Sequence, residues 1–267
     1  MVGPGRPGRS GGLQGNTGRS GGPQGRPGGK DGRTGKPGRR EPDPAFVSEI
    51  MDSYVEVKGT IEERMEQFGT VWREDGEEEL FRELAFCIFT PQSRARSCWE
   101  AVERLTDMDM LFDGPAECIA EEINTVRFRN NKARNLVAAR EMFTDGEGNI
   151  AVRPLLLRQV SGKGREAGVD GFELRDWLVK EVKGYGYKEA SHFLRNVGLG
   201  ENLAILDRHI LKNLARAGAI DEVPEYMNRK TYLELEERMR AFAADIGIPM
   251  AHLDLVLWYM EAGEVFK

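Results

Sequence analysis

An all-α fold of two helical lobes with a cleft between them is what this sequence predicts, on three observations. Nowhere in its 267 residues is there an alternating apolar–polar run long enough for a strand. Apolar residues recur instead at three- and four-residue intervals, the spacing of one helix face. Two such runs, Phe172, Leu174, Trp177, Leu178, Val182 and then Ala190, Phe193, Leu194, Val197, are separated only by a short break holding Gly184 and Gly186.

The elements follow in order. Residues 1–42 are low in complexity: glycine recurs at every third position in four phases, each reset at a Gly-Gly pair, which would interrupt a collagen-like triple helix repeatedly. With nothing apolar to bury, this Gly/Arg/Pro-rich segment is expected to be a disordered basic tail, and 43–267 the folded domain. From Glu41-Pro42-Asp43-Pro44 the chain enters that domain, and Ile61, Met65 and Phe68 predict a first helix. Leu80, Leu84, Cys87 and Ile88 predict a stronger one, flanked by Phe86 and Phe89. It stops at Thr90-Pro91, since proline disfavours helix in the residue before it. Gln92-Ser93 opens a loop, and Cys98, Trp99, Val102 and Leu105 give the next helix.

Short helices over 116–123 and 132–143 flank Arg127-Phe128-Arg129-Asn130-Asn131-Lys132-Ala133-Arg134, the densest cationic stretch of the domain. It is either a solvated helix start or a phosphate-facing rim, with Arg129 and Lys132 as the candidate contacts. Gly162-Lys163-Gly164, Gly168 and Gly171 mark a loop before the glycine-broken pair of helices at about 172–197. Beyond it, Gly198-Leu199-Gly200 ends the second helix. Asp207 stands as an N-cap before Ile210, Leu211 and Leu214. Tyr232, Leu235, Met239, Phe242 and Ile246 outline one further helix; after Ile248-Pro249, Leu253, Val256, Leu257 and Met260 outline the last.

Charge and cysteines narrow the function. Positions 1–40 hold seven Arg and two Lys against one acid, so the overall −6 conceals a tail at +8 and a remainder at −14. Such acidity counts against a nonspecific polyanion binder unless a local cationic face offsets it. Cys87, Cys98 and Cys118 show no Cys-x-x-Cys spacing and none falls in the C-terminal half, which excludes a four-cysteine iron–sulfur cluster there. The three histidines, His192, His209 and His252, lack metal-ligand spacing. No apolar run approaches bilayer length and the N-terminus lacks an apolar signal core, so an intracellular protein is expected.

The glycine break carries the chemistry. A Gly-x-Gly turn between two helices lets the backbone turn tightly and aim N–H groups outward beside a positive helix end, an arrangement suited to phosphate. Lys188 stands at its mouth, and Asp207 follows 19 residues later. Read singly, Lys188 is a solvated or phosphate-binding lysine and Asp207 a cap.

Together with the wording Lys183-Gly184-Tyr185-Gly186-Tyr187-Lys188-Glu189-Ala190-Ser191-His192-Phe193-Leu194-Arg195-Asn196 and Asp207-Arg208-His209-Ile210-Leu211, this spacing resembles the helix–hairpin–helix of base-excision DNA glycosylases. Within them it is most similar to the type-2 8-oxoguanine DNA glycosylase/AP lyases. The resemblance covers roughly Ile61 to the C-terminus and leaves out the tail. Lys183 departs from the wider superfamily, where many such hairpins carry proline.

The resemblance implies removal of 8-oxoguanine from double-stranded DNA and cleavage of the abasic strand by β-elimination, without metal or organic cofactor. It gives Lys188 the role of nucleophile at C1′ of a flipped nucleotide and Asp207 that of the catalytic aspartate, stabilising the cationic sugar or taking part in proton transfer. Gly184 and Gly186 would grip the backbone, and Gln92 would fill the gap left by the extruded base. Trp258 would give a stacking face. Lys267 would distinguish 8-oxoguanine from guanine, its α-carboxylate accepting from the N7–H that only the oxidised base carries and its ammonium adding a second contact. A monomer in the cytoplasm, associated with the nucleoid, is expected, with the tail either a tether to DNA phosphates or a dispensable extension. A glycosylase for another damaged base, or a noncatalytic DNA-binding module, stays open.

Overall fold

The computed structural model describes residues 43–160 and 169–267, together with Gly3; the expectations for the tail and for the glycines at 162–168 fall outside the described residues. Among the described residues there are twelve α-helices and no strand, only an isolated antiparallel bridge between Thr144 and Ile150. The predicted all-α class is what is found.

Helix α1 (Pro44–Arg73) starts seventeen residues earlier than Ile61, where its predicted apolar face began. Asp43 caps it, its Oδ1 accepting from the amides of Ala45 and Phe46, and Pro44 occupies the first turn, where no amide is needed. Phe46, Ile50, Tyr54, Val57 and Ile61 continue one buried face through the whole length. Helices α2 (Glu77–Phe89) and α3 (Ala95–Asp107) bracket the Thr90–Arg94 loop. Short α4 (Met110–Asp113) and α5 (Ala116–Glu122) lead into α6 (Arg129–Met142) and α7 (Val152–Gln159). The paired helices are α8 (Gly171–Glu181) and α9 (Tyr187–Asn196); α10 (Arg208–Arg216), α11 (Arg229–Asp245) and α12 (Met250–Ala262) complete the fold.

Two hydrophobic cores result. One gathers α2, α3 and α5 to α9 around Phe81, Phe86, Phe89 and Phe193. The other packs α1 against α10, α11 and α12 around Ile61, Tyr232 and Met239. Helix α9 is the hinge between them, buried at every residue from Ala190 to Asn196. Its C-terminus runs against α1 so closely that a Cβ at Gly198 would lie 2.6 Å from the Gly69 Cα, and Gly198 itself has φ +76. Beneath the cleft, buried Arg175 of α8 forks onto buried Glu236 of α11 at 2.5 and 3.0 Å, and Glu236 also accepts from the Ala204 amide at 2.8 Å. Both charges are thereby paired, as their burial requires, with only the Arg175 Nε left without a partner. No single helix among the described residues is long and apolar enough to cross a membrane.

Candidate active site

A cavity of about 1260 Å³ opens between the lobes, walled by the start of α9, the 205–211 segment, α12 and the Thr90–Arg94 loop. Lys188, Asp207, Gly186, Gln92, Trp258 and Lys267 all line it, bringing six predicted site residues together.

Lys188 is the second residue of α9, and its side chain is 21% exposed. Its Nζ donates to Thr90 Oγ1 at 3.2 Å and lies 3.9 Å from Glu189 Oε1. Thr90 is itself fixed, its hydroxyl donating to the Cys87 carbonyl at 3.1 Å. The amine is therefore held inside the cavity. Asp207 is the N-cap of α10, and both capping bonds, from the His209 and Ile210 amides at 2.8 Å, use Oδ1. The cap fixes the carboxylate and leaves Oδ2 over for chemistry.

A second acid joins them. Asp254 of α12 is buried on the cavity wall, its Oδ2 3.3 Å from Arg195 Nη1. Burial pushes its carboxyl up to about 6; Arg195 and Lys188 pull it down, and Asp207 adds to the rise. His192, one helical turn after Lys188, also lines the cavity, and burial holds its imidazole well below the ordinary histidine range. Neither ring nitrogen meets a hydrogen-bond partner in good geometry, though the Lys267 backbone lies near enough to favour the protonated ring.

Three expectations need correction. Lys132 does not face a phosphate: it is buried, and its Nζ donates to the carbonyls of Phe89 at 2.6 Å and Pro91 at 2.7 Å and to Ser93 Oγ at 3.1 Å. Its charge is consumed in nailing down the loop that carries Thr90 and Gln92, and burial lowers its pKa to about 8. The Gly186 amide does not point outward for a ligand, because the Glu189 carboxylate accepts from it at 3.1 Å, closing the start of α9. The Lys267 ammonium offers no contact to a base, since it is paired with Glu83 and lies 3.1 Å from the centroid of the Trp99 ring.

The remaining predicted residues are placed as follows. Gln92 is exposed at φ +56 at the tip of its loop. Gly184, at φ +90, supports the turn from outside the cavity. Arg129 is exposed at the start of α6, also outside the cavity wall. Trp258 meets the His209 ring edge-on with centroids 6.2 Å apart. Sequence reasoning passed over Thr90, His192, Asp254 and the exposed Phe128, which sits at φ +59 between two exposed arginines. For Asp254 a signal existed: it is a lone acid inside the apolar run Leu253–Leu257.

A family model described as 8-oxoguanine DNA glycosylase matches residues 61–248. The chain belongs to the 8-oxoguanine DNA glycosylase family. Among the relatives of this glycosylase-family chain, the 8-oxoguanine DNA glycosylase/AP lyase of Fusobacterium nucleatum is 45% identical over 225 residues, covering 83% of this chain and 98% of that one. The corresponding protein of Methanocaldococcus jannaschii is 34% identical over 218 residues, covering 79% and 94%. Among solved structures, the Thermotoga maritima 8-oxoguanine DNA glycosylase superposes with a TM-score of 0.71 at 33% identity, covering 84% of this chain and 99% of that one. The M. jannaschii glycosylase/lyase solved with DNA containing 8-oxoguanine gives 0.71 at 31% identity, covering 84% and 100%.

Proposed function

We propose that this member of the family is a bifunctional DNA glycosylase and AP lyase in which Lys188 attacks C1′ of an extruded 8-oxoguanine nucleotide. The observation that carries the reading is the Lys188 amine, held against Thr90 inside a cavity that the capped Asp207 also lines. The base leaves with its bonding electrons and takes up a proton as the amine bonds to C1′. Ring opening gives an iminium, loss of a C2′ proton expels the 3′ phosphate, and hydrolysis of the imine frees the lysine. Asp207 stabilises the positive charge that develops on the sugar, with its second oxygen available for proton transfer. These steps run on an amine and a carboxylate and call for no metal or organic cofactor.

The substrate is duplex DNA bearing 8-oxoguanine or an abasic site, met as a monomer in the cell interior. Gln92 fills the vacated stack, a reading supported by its exposure on a loop held by Lys132. The exposed phenyl ring of Phe128, flanked by Arg127 and Arg129, offers a stacking surface beside two phosphate-binding cations. Trp258 supplies one face of the base pocket and a main-chain oxygen of Lys267 accepts from the N7–H of the oxidised base.

Borohydride trapping on an abasic duplex tests the reading, because hydride reduces the iminium to a permanent crosslink. Wild type is expected to crosslink and Lys188→Gln to give none. Asp207→Asn, which preserves the cap, should bind DNA normally while trapping slows on the order of 10²-fold. A crosslink that persists in Lys188→Gln overturns the assignment.

A further inference from the structure

Lys267 lines the cavity, yet the groups that hold its ammonium do not: Glu83 on α2, Trp99 on α3 and Phe86 all lie behind the wall. Glu83 is buried, only 2% exposed, and divides its oxygens, Oε1 taking the Lys267 ammonium and Oε2 the Asn196 amide at 3.0 Å. The ring of Trp99 caps the ammonium from the other side. Phe266 is clamped as well, under the Arg96 guanidinium at 4.7 Å, and Arg96 in turn pairs with Glu264. On the cavity side the Lys267 backbone faces His192, whose ring is edge-on to Phe86 with centroids 5.4 Å apart. A lysine side chain drawn out of the cavity in this way leaves its main chain as the part that forms the wall.

We propose that Glu83 is a positioning residue for base discrimination: it draws the Lys267 ammonium behind the wall, so that the Lys267 main chain, beside His192, is set rigidly against the flipped base. A buried carboxylate given two charge-assisted or amide partners is costly to displace, which makes it a firm anchor. The proposal rests on the base-reading role of Lys267 given above. It differs from direct reading by the ammonium, which would require that group free of Glu83.

The test compares two activities of one preparation. Glu83→Gln keeps the shape and the Asn196 contact while removing the charge that holds Lys267. Single-turnover excision of 8-oxoguanine is expected to fall ~10- to 100-fold, the loss produced by displacing a positioning contact. Cleavage of a preformed abasic site, which contains no base to read, should match wild type, and this also confirms that the variant is folded. Lys267→Met should lose excision to a similar degree, and the double variant should be no worse than either single one. Unchanged excision in Glu83→Gln or in Lys267→Met, or losses that multiply in the double variant, overturn the proposal. Failure of wild type to crosslink an abasic duplex would instead overturn the function proposed above, so the two outcomes are separable.

Discussion

At the scale of single residues, the cavity holds two acids in opposite circumstances. Asp207 is partly exposed and committed through one oxygen to helix α10, whereas Asp254 is buried beside Arg195 with its carboxyl raised to about 6. Between about pH 4, where an unfolded aspartate ionises, and pH 6, the folded chain holds a proton on Asp254 that the unfolded chain has released. The folded state binds more protons in that window, so this group's contribution to stability falls as pH rises through it. Asp254→Asn cannot titrate. Its melting temperature relative to wild type is therefore expected to climb from pH 4 to pH 7, and parallel melting curves across that range would refute the linkage. His192 works the other way: held neutral by burial, it contributes stability that is lost as pH drops below the ordinary histidine range.

At the scale of elements, the turn between α8 and α9 aims the lysine. Gly184 has φ +90, and a Cβ there would overlap the Asn135 amide on α6. Gly184→Ala is expected to lose about 1–2 kcal/mol from the left-handed backbone alone, with the overlap adding to it. Thermal denaturation measures that loss, and lyase activity should fall with it because the same turn places Lys188. A variant as stable as wild type would mean that the turn relaxes freely. The turn itself was legible, since two glycines between helical runs have few other uses; Lys188 and Asp207 were singled out through the resemblance, and both line the cavity. Seventeen further residues, Pro44 to Thr60, with Phe46, Ile50, Tyr54 and Val57 on their buried face, belonged to α1 and were passed over beside a glycine-rich tail. Short α4 and α7 carry too few turns for periodicity to register. The Glu83–Lys267 and Arg195–Asp254 pairs were illegible for a different reason: contacts between distant segments leave no local pattern, and only the folded arrangement of α2, α9 and α12 creates them.

For the whole molecule the question is how a chain carrying −14 beyond its first forty residues approaches a polyanion. The cationic stretch answers in part, for Arg127, Arg129 and Arg134 are exposed while Lys132 is not. A phosphate neutralised on duplex DNA contributes about 0.9 to the slope of log affinity against log salt. Arg129→Gln is expected to flatten that slope by about one phosphate, and Lys132→Met to leave it unchanged; a flattened slope in Lys132→Met would contradict the buried placement. Since all three hydrogen bonds of the Lys132 ammonium are spent on the chain beneath Gln92 and Thr90, its positive charge releases no counterions and answers to no change in ionic strength. The grip on DNA can thus loosen in high salt while the platform under the reacting amine keeps its shape, which separates how often the enzyme lands from how well it works once there.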